Sequence, residues 1–508
     1  MNDQGPPMPT IGKLAVVGAV LVGLPLRFVT TSHLWLDEAL SVDIARLPIG
    51  DIPDALRHDG HPPLYYWLLH GWIAAFGEGD TAVRVLSAVF AVAALPLVWA
   101  LGRRVAGARG AWWAIGLFAL NPFLLRYSTE TRMYSLVTLL VLAGWLLVRR
   151  ALEAPRFARL VPIAAVSGLL LLTHYWAVWF LAATVLALGW HARQVGAARR
   201  VLAAVLAGGI LLLPWLPVML DQAAHTGTPW GTAVRPTTMV TDSLAGLGGG
   251  GYAEALLLGY GLLVLFFFGL AGRVTGEHTF ELDMRGVPGL RPEAAVIGLT
   301  LAIATAAGYA THTTFASRYV AILVPLVLLI AAAGAARLPG RTVPLVALGA
   351  TLVLGGLGTA RNVTTDRTQA GVLAGSIRDG ARPGDIVVIC PDQLGPSVHR
   401  LVPADLVQLT FPVSTLGPDR IEWRDYAERN AASDPQAFVD DVVSRAAGTR
   451  AVWLVSSNSY KTLEDQCDAV LADLGTALGS GEVVVEDDGG TYFEHAQLAR
   501  FSAPASGA

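Results

Sequence analysis

Two adjacent carboxylates, Asp37 and Glu38, lie in the segment 34–41 (LWLDEALS), directly after the first long apolar run of the chain. Acidic side chains held at a membrane surface are costly to desolvate and are therefore rarely without a function. A carboxylate at the rim of a helix bundle suits a general base that acts on a substrate arriving through the lipid. The alternative is that the two acids cap the short helix that follows and interact with its dipole.

Further polar residues with chemical potential occur in three later segments that are predicted to lie on the same side of the membrane. They are Asp59 and His61 before a Pro-Pro pair, Glu130, Arg132 and Tyr134 in segment 127–134 (YSTETRMY), and Arg318 and Tyr319 at the start of an apolar run. A guanidinium at position 318 could reach the interface and bind a lipid phosphate through two hydrogen bonds. The sequence thus offers a carboxylate base, an anion site and a path for an apolar tail.

Each of these residues also has a structural interpretation. His61 could simply orient the loop before the prolines, and Arg318 could be an interfacial anchor. Glu130 and Arg132 could form a surface ion pair, which contributes little to stability.

Arg84 is interpreted as a structural residue paired with an acid of an outer loop. His174 is interpreted as a satisfied histidine among interfacial aromatic residues. A metal is optional for the chemistry, because an arginine cluster can stabilise a leaving phosphate. Nevertheless, Asp59 and His61 together with Glu38 could hold a divalent cation.

Composition indicates a membrane protein. The chain is 54% hydrophobic and only 15% charged, whereas soluble proteins carry about 25% charged residues. The deficit falls within the first 360 residues. A net charge of −3 argues against a nucleic-acid partner, which would favour a basic surface. We therefore predict a mostly helical, polytopic bundle over 1–360, with a first outer loop at 31–81, followed by a small α/β domain over 361–508.

A membrane-spanning helix needs about 20 apolar residues. Eleven candidate spans start near Ile11, Ala82, Gly110, Met133, Leu160, Trp176, Arg200, Glu254, Glu293, Ser317 and Thr342. Segment 65–76 is too short to cross and is predicted to be an interfacial amphipathic helix. Arginine is concentrated in alternate loops, which places the amino terminus in the cytoplasm and the last domain outside. The first apolar run has no small-residue cleavage site and is predicted to be a retained helix.

The carboxyl-terminal domain alternates between strand and helix patterns. Strands are predicted at 385–390, 450–456 and 482–486, and helices at 435–447 and 462–478. This order favours a small, largely parallel sheet with flanking helices. Cys390 and Cys467 could form a disulfide outside the membrane or remain two buried thiols.

The arrangement of these motifs resembles the GT-C membrane glycosyltransferases. The resemblance rests on Asp37-Glu38 in the first outer loop, the H-P-P-L-Y-Y that begins at His61, the R-x-x-S that begins at Arg84, segment 127–134, and the late Arg318-Tyr319. The nearest branch is that of the protein O-mannosyltransferases and the aminoarabinose transferases of lipid A, over roughly residues 10 to 340. The resemblance implies a polyprenyl-phosphate sugar donor and transfer on the extracytoplasmic face.

Carried over by position, the resemblance makes Asp37 the general base and Arg318 the donor-phosphate residue. Glu38, the neighbour of Asp37, is predicted to be the second residue of the catalytic pair. We expect Tyr319, Arg132 and His61 to contribute to that phosphate site. The residues in supporting roles are Asp59, Glu130, Tyr134, His174 and Arg84. The expected reaction is inverting transfer of a mannose, arabinose or similar sugar to a lipid, glycan or protein acceptor, in a bacterial plasma membrane.

Two other functions are compatible with a polytopic chain of this kind. A lipid-linked sugar flippase or transporter would be expected to carry ionisable residues and broken helices within the membrane. A non-catalytic subunit of an envelope-assembly complex would leave the outer acids and His61 unexplained. The role of the last domain stays open between acceptor binding, partner docking and shielding.

Overall fold

A computed structural model describes residues 7–227, 234–276, 279–311, 313–446, 450–463 and 465–502. Its first part is almost entirely helical. From the amino terminus, α1 is Thr10–Leu26, α2 Leu36–Ala45, α3 Ile52–Asp59, α4 Leu64–Phe76, α5 Asp80–Ala119, α6 Pro122–Ser128, α7 Tyr134–Glu153, α8 Phe157–Leu171, α9 Trp176–His191, α10 Gly196–Gly208, α11 Leu216–His225, α12 Pro236–Gly248, α13 Ala253–Ala271, α14 Arg291–Thr311, α15 Val324–Ala335 and α16 Thr342–Thr364.

Short 3₁₀ helices and one hairpin interrupt this series. The 3₁₀ helices are Gly209–Leu212, Pro288–Leu290 and Ser317–Ile322, and the hairpin pairs β1 (Gly272–Val274) with β2 (Phe280–Leu282) in antiparallel fashion. The 3₁₀ helix Ser317–Ile322 matters for the site because it carries two of the predicted residues.

The helical part contains several segments that can cross a membrane. By length and composition, five described helices qualify, namely Asp80–Ala119, Tyr134–Glu153, Ala253–Ala271, Pro288–Thr311 and Thr342–Thr364. A sixth span is obtained if Gly196–Leu212 and Leu216–His225, which are bent by 74°, form one broken crossing. Helices α1, α8, α9 and α15 are apolar but shorter. The chain is a multi-pass membrane protein.

Four predicted spans differ from the simple pattern. The two that start near Ala82 and Gly110 form the single 40-residue α5, which has non-helical backbone angles at Ala106 and Gly107. The span predicted from Ser317 is divided, because residues 317–322 are 3₁₀ and α15 begins only at Val324, with proline in its first turn. The span predicted from Arg200 is bent near Pro214, which has no N–H to continue a helix.

Helix α15 lies at the centre of the bundle and packs against α5 and α13. Every one of its residues except Val327 is buried. Helices α13 and α15 approach each other closely because residue 269 in α13 and residue 334 in α15 are both glycines. A Cβ at Gly334 would lie 1.8 Å from the carbonyl oxygen of Leu265. Small residues at such crossings allow the backbones of membrane helices to approach.

The segment between α1 and α5 folds into three short helices. Helix α3 ends at Gly60, whose φ of 86° lies in the left-handed region that glycine adopts readily. The predicted interfacial helix is α4, and its buried tyrosines face inward: Tyr65 contacts the hydroxyl of Ser87 and Tyr66 donates to Asp59. These helices place the first two predicted clusters side by side.

The chain after α16 forms an α/β region, which here denotes residues 365–502. Its helices are α17 (Ala370–Gly380), α18 (Gly395–His399), α19 (Tyr426–Ala431), α20 (Pro435–Ala446) and α21 (Gln466–Leu478), with a 3₁₀ helix at Asp392–Leu394. Its strands are β3 (Ile386–Cys390), β4 (Val407–Thr410), β5 (Val452–Ser456), β6 (Glu482–Val485) and β7 (Gln497–Phe501), in the sheet order β4-β3-β5-β7-β6.

The sheet is mixed, so the prediction of a largely parallel sheet is only partly correct. Strand β3 is parallel to β4 and to β5, with Val388 opposite Leu409 and Leu454. Strand β7 is antiparallel to both β5 and β6. The pattern analysis missed β4 and β7, which are short and carry polar residues. The last helix begins at Gln466 rather than at position 462, where Thr462 has a positive φ.

Cys390 and Cys467 form a disulfide that joins the end of β3 to α21. This resolves the two alternatives left open by the sequence. Position 447, at the end of the helix predicted over 435–447, lies outside the described residues.

The α/β region packs directly on the segment between α1 and α5. Helix α18 contacts α2, and buried apolar residues of α2 and α3 share one hydrophobic cluster with the sheet. Members of that cluster include Leu36, Leu40 and Ile52 on one side and Phe411 and Phe501 on the other. Helix α2 is therefore held between the bundle and the α/β region.

Candidate functional site

Asp37 lies at the second position of α2, with its side chain 18% exposed. One carboxylate oxygen lies 3.3 Å from the Arg318 guanidinium and 3.9 Å from that of Arg132. Burial alone would raise the pKa of the Asp37 carboxyl, but the positive charges of Arg318 and Arg132 outweigh it and hold this pKa below its ordinary value. Asp37 is thus an ionised carboxylate at neutral pH, facing two cations.

Arg318 comes from the 3₁₀ helix Ser317–Ile322 and retains about a third of its side-chain exposure, at 31%. Its guanidinium carbon lies 5.9 Å from the centre of the Tyr319 ring. A partly exposed guanidinium beside a carboxylate can accept a second anion, since its five N–H donors are not exhausted by one partner.

A chain of hydrogen bonds connects Asp59 to helix α2. The Arg132 guanidinium donates to Nε2 of His61 at 2.8 Å, and Nδ1 of His61 lies 2.8 Å from the Asp59 carboxylate. Because arginine can only donate, Nε2 accepts, and the proton of a neutral imidazole resides on Nδ1 and is donated to Asp59. Arg132 also donates to the hydroxyl of Ser41, one turn after Asp37 on the same helix.

Glu38 is completely buried, and its hydrogen-bond partners differ from the cations that Asp37 faces. Arg84 donates to both of its oxygens, at 2.7 and 2.6 Å, and the backbone N–H of Thr131 donates at 2.9 Å. Burial would raise the pKa of Glu38, but Arg84 and these hydrogen bonds lower it. This geometry favours a structural role for Glu38, and it supplies the outer acid that was expected to pair with Arg84.

The R-x-x-S motif that begins at Arg84 connects several parts of the site. Besides Glu38, Arg84 binds the carbonyl oxygen of Ser32 at 2.6 Å. Ser87, one turn later, donates to the carbonyl oxygen of Arg132. The motif therefore fixes both α2 and the loop that carries Arg132.

Glu130 belongs to a second buried ion cluster. It accepts a hydrogen bond from Arg126 at 2.9 Å and lies 3.9 Å from Arg367. Helix α6 brings Arg126 there, and its start is fixed by Asn121, whose side chain caps the N–H of Leu124. Glu130 does not reach Asp37, so its placement supports the loop rather than the reacting centre.

Aromatic residues form one wall beside the arginines. The His174 ring lies 5.7 Å from Tyr134 and 5.8 Å from Tyr319, centre to centre. The Trp176 ring lies 5.7 Å from that of Tyr319, and the backbone N–H of Trp176 donates to Nδ1 of His174. His174 is thus a hydrogen-bonded histidine in an aromatic cluster, which agrees with its structural interpretation. Its ring also lies next to Tyr319, one of the residues predicted for the phosphate site.

The geometry gives no support to a cation at Glu38, Asp59 and His61. Both oxygens of Glu38 accept hydrogen bonds from Arg84, and Nε2 of His61 accepts one from the guanidinium of Arg132. Among the described residues, no group of three or more His, Cys, Asp or Glu side chains lies close enough to hold a metal ion.

Two residues of the α/β region contact this site, and no sequence motif predicted them. Arg367 is fully buried and donates to the carbonyl oxygen and the hydroxyl of Thr129. Glu494 accepts a hydrogen bond from the backbone N–H of Leu36. Both are hundreds of residues from α2 along the chain and stand in no recognisable motif, so only the tertiary fold could reveal them.

Comparison with known sequences supports this picture. Residues 60–220 match the family described as Dolichyl-phosphate-mannose-protein mannosyltransferase. The match begins at the turn before His61 and includes Arg84, Glu130, Arg132 and His174. No curated protein matches the sequence at a significant level.

Solved structures extend the similarity to nearly the full chain. ArnT from Cupriavidus metallidurans bound to undecaprenyl phosphate matches with a TM-score of 0.62 at 15% identity, over 97% of this chain and 98% of that one. The arabinofuranosyltransferase AftD from Mycobacteria matches with a TM-score of 0.51 at 16% identity, over 99% of this chain and 40% of that one. The oligosaccharyltransferase of Archaeoglobus fulgidus matches with a TM-score of 0.50 at 12% identity, over 87% of this chain and 67% of that one.

The chain has the GT-C glycosyltransferase fold. The resemblance inferred from the motifs is thereby confirmed. Because the ArnT match includes the α/β region as well as the bundle, the similarity extends beyond the segment 10–340 on which the motifs rested.

Proposed function

We propose that this protein is a membrane glycosyltransferase that moves a sugar from a polyprenyl-phosphate donor to a hydroxyl group of an extracytoplasmic acceptor. The observation that carries the proposal is the partly exposed Asp37 carboxylate 3.3 Å from the Arg318 guanidinium. This pair places a base next to an anion site. The fold supports the same class, and the similar ArnT structure was solved with undecaprenyl phosphate bound.

Asp37 serves as the general base. The acceptor hydroxyl is a poor nucleophile, and transfer of its proton to Asp37 contributes about 10²–10⁴-fold to the rate. As the acceptor oxygen bonds to the anomeric carbon, the bond from that carbon to the phosphate oxygen breaks. The electron pair leaves with the lipid phosphate, and a single direct displacement inverts the anomeric configuration.

Arg318 stabilises the charge that develops on the leaving phosphate. Its guanidinium is already beside the base and partly exposed, so it needs little reorganisation to bind an anion. Arg132, fixed by His61 and Ser41, adds a second positive charge. Tyr319 lies against Arg318 and forms part of the wall of the phosphate site.

Donor binding also changes the pKa of Asp37. In the free protein, Arg318 and Arg132 lower the pKa of Asp37, which makes it a weak proton acceptor. A bound phosphate takes over part of the Arg318 interaction and adds negative charge nearby, so it raises the pKa of Asp37 toward its ordinary value. The carboxylate therefore becomes a stronger base once the donor is in place.

An apolar groove beside Arg318 suits the prenyl chain of the donor. The groove, of about 180 Å³, is lined by side chains of α12, α13, α14, α15 and the 3₁₀ helix, including Leu247, Leu263, Ile297 and Val320. Val320 is two residues after Arg318 in the same 3₁₀ helix, and we propose that the prenyl chain occupies the groove with its phosphate toward the guanidinium.

We propose eleven crossings for the bundle, which ends with α16 at Thr364 and so runs past the boundary predicted at 360/361. The broken helix α5 supplies two of the crossings, and the four shorter apolar helices complete the number. Arginine-rich alternate loops favour an amino terminus in the cytoplasm and an α/β region outside a bacterial plasma membrane. The Cys390–Cys467 disulfide agrees with an oxidising compartment for that domain.

The two alternative functions are less well supported. A flippase would need ionisable groups along a path within the bundle, whereas the charged groups at this site belong to short outer helices and loops. An assembly subunit would not require a partly exposed base to face two cations. We propose mannose or a pentose such as arabinose as the sugar.

The test is transfer of radiolabelled sugar from a panel of synthetic polyprenyl-phosphate sugars, with purified protein in detergent and a membrane extract as acceptor. We expect one donor to support transfer, and Arg318→Ala to lower kcat/KM by about 100-fold, as expected for loss of one transition-state contact. Arg235→Ala, at an exposed arginine that precedes α12, is the matched control and should be as active as wild type.

Two results would contradict the proposal. If no donor supports transfer, the flippase and assembly functions become the better explanations. If Arg318→Ala is as active as Arg235→Ala, the phosphate site lies elsewhere.

A further inference from the structure

The α/β region reaches the amino-terminal end of helix α2, immediately before Asp37. The first N–H groups of an α-helix have no partner within the helix and need one from outside. Helix α2 has Trp35 as its N-cap residue, whose side chain makes no capping hydrogen bond. The N–H of Leu36 is instead satisfied by a carboxylate oxygen of Glu494, at 2.7 Å.

We propose that Glu494 is a positioning residue for the base: its carboxylate caps α2 at Leu36 and so sets where Asp37 stands relative to Arg318. This inference rests on the proposed function and deepens it. It gives the α/β region a defined part in the reaction, in addition to any role in binding the acceptor or a partner.

Glu494 can hold this position because it is itself rigidly held. Its side chain is 3% exposed, and its second carboxylate oxygen accepts a hydrogen bond from the hydroxyl of Thr368 at 2.6 Å. Its backbone N–H donates to the carbonyl oxygen of Arg367, and its own carbonyl oxygen accepts from the N–H of Gln369. Glu494 is thus paired with segment 367–369 through an isolated β-bridge.

Segment 367–369 is also attached to the helical part of the chain at a second point. The Arg367 side chain donates to Thr129 twice and lies 3.5 Å from Glu38. The residue before Glu494 adds an aromatic contact, since the Phe493 ring meets Trp35 edge to face at 5.3 Å. The start of α2 is therefore fixed from the α/β region, while its later turn is fixed by Ser41 and Arg132.

The position of Leu36 makes the cap relevant to the chemistry. Leu36 directly precedes Asp37, and a carboxylate base must stand at a defined distance from both the acceptor hydroxyl and the phosphate site. A shift of about 1 Å in such a group can lower a rate about 100-fold. Loss of the cap lets the first turn of α2 move, which should reduce turnover more than donor binding.

The experiment compares Glu494→Ala, Glu494→Asp and Glu494→Gln with the control Glu482→Ala, an exposed glutamate of β6 in the same region. Glu494→Gln keeps an oxygen that can accept from Leu36 and should retain kcat within about 3-fold of wild type. Glu494→Ala removes the acceptor, and Glu494→Asp retracts it by one methylene group. Both should lower kcat about 10-fold or more, with KM for the donor within about 2-fold.

A second readout does not depend on activity. Hydrogen exchange of a peptide covering 35–45 should be faster in Glu494→Ala and Glu494→Asp than in wild type, and unchanged in Glu494→Gln and Glu482→Ala. Should Glu494→Ala fail to fold, the charge-preserving Glu494→Asp carries the comparison.

The failures are distinguishable. If wild type transfers no sugar, the proposed function fails, and the exchange data still decide whether Glu494 holds α2. If wild type is active, and Glu494→Ala and Glu494→Asp match Glu482→Ala in both kcat and exchange, the positioning role is overturned. A rise in KM with unchanged kcat would also overturn it, since that result would assign Glu494 to donor binding.

Discussion

At the scale of single residues, the two neighbouring acids of α2 have opposite environments. Glu38 is buried and matched by Arg84 with two hydrogen bonds, whereas Asp37 is partly exposed and faces Arg318 across 3.3 Å. Removing one partner of a buried pair is costly because the other charge is left uncompensated. The geometry therefore separates a structural acid from a candidate base, which their adjacency in the sequence does not.

The pH dependence of transfer should report the state of Asp37. A base must be ionised, so activity is lost as pH falls through its pKa. In the free protein this pKa is lowered, and kcat/KM should stay level as the pH falls toward 4. Bound donor raises the pKa, so the acid limb of kcat should lie at higher pH than that of kcat/KM. Both profiles are measured with saturating and limiting donor from pH 8 down to about pH 2.5, because both acid limbs are expected near or below the ordinary pKa of an aspartate, about 3.9.

Coincident acid limbs, or a kcat limb at the lower pH, would contradict the proposed exchange of Arg318 from Asp37 to the donor phosphate. A set of buffers at constant ionic strength serves as the control, because salt weakens exposed ion pairs.

At the scale of elements, sequence patterns located most helices but not their interruptions. Apolar runs predicted where α7, α13 and α16 lie. They could not show that α5 is one helix with a break at Ala106–Gly107, or that residues 317–322 are 3₁₀. Hydropathy measures only how apolar a segment is, whereas these features depend on backbone angles and on packing against neighbours.

The contact between α13 and α15 gives a direct test of element packing. Gly334→Ala would place a Cβ against the carbonyl oxygen of Leu265, so the two helices must separate. We expect a loss of stability of about 1–3 kcal/mol or more, as for other overpacked cores. Gly349→Ala in α16, where a Cβ meets nothing within 4 Å, is the matched control.

The measurement is the thermal unfolding midpoint of each variant in the same detergent. Gly349→Ala should equal or slightly exceed wild type, since alanine favours a helix over glycine. Equal midpoints for the two variants would show that the α13–α15 crossing is not as close as described.

At the scale of the whole molecule, the site is assembled from regions far apart in the sequence. The motifs predicted Asp37, Asp59, His61, Arg132 and Arg318, and the fold brings these five residues together. Arg367 and Glu494 could not be predicted, because nothing in their local sequence marks them, and their partners at the site, Thr129 and Leu36, lie more than 200 residues away. Motifs reveal residues whose chemistry is conspicuous, whereas residues that hold them in place are revealed only by contacts.

The most direct test of the central claim is the single-turnover rate of sugar transfer by Asp37→Asn with the donor already bound. Asp51→Asn, at an exposed acid before α3, is the control, and donor binding is measured separately for each variant. We expect Asp37→Asn to bind the donor at least as well as wild type and to transfer sugar at least 100-fold more slowly, while Asp51→Asn is unaffected. Transfer by Asp37→Asn at the wild-type rate would contradict the assignment of Asp37 as the base.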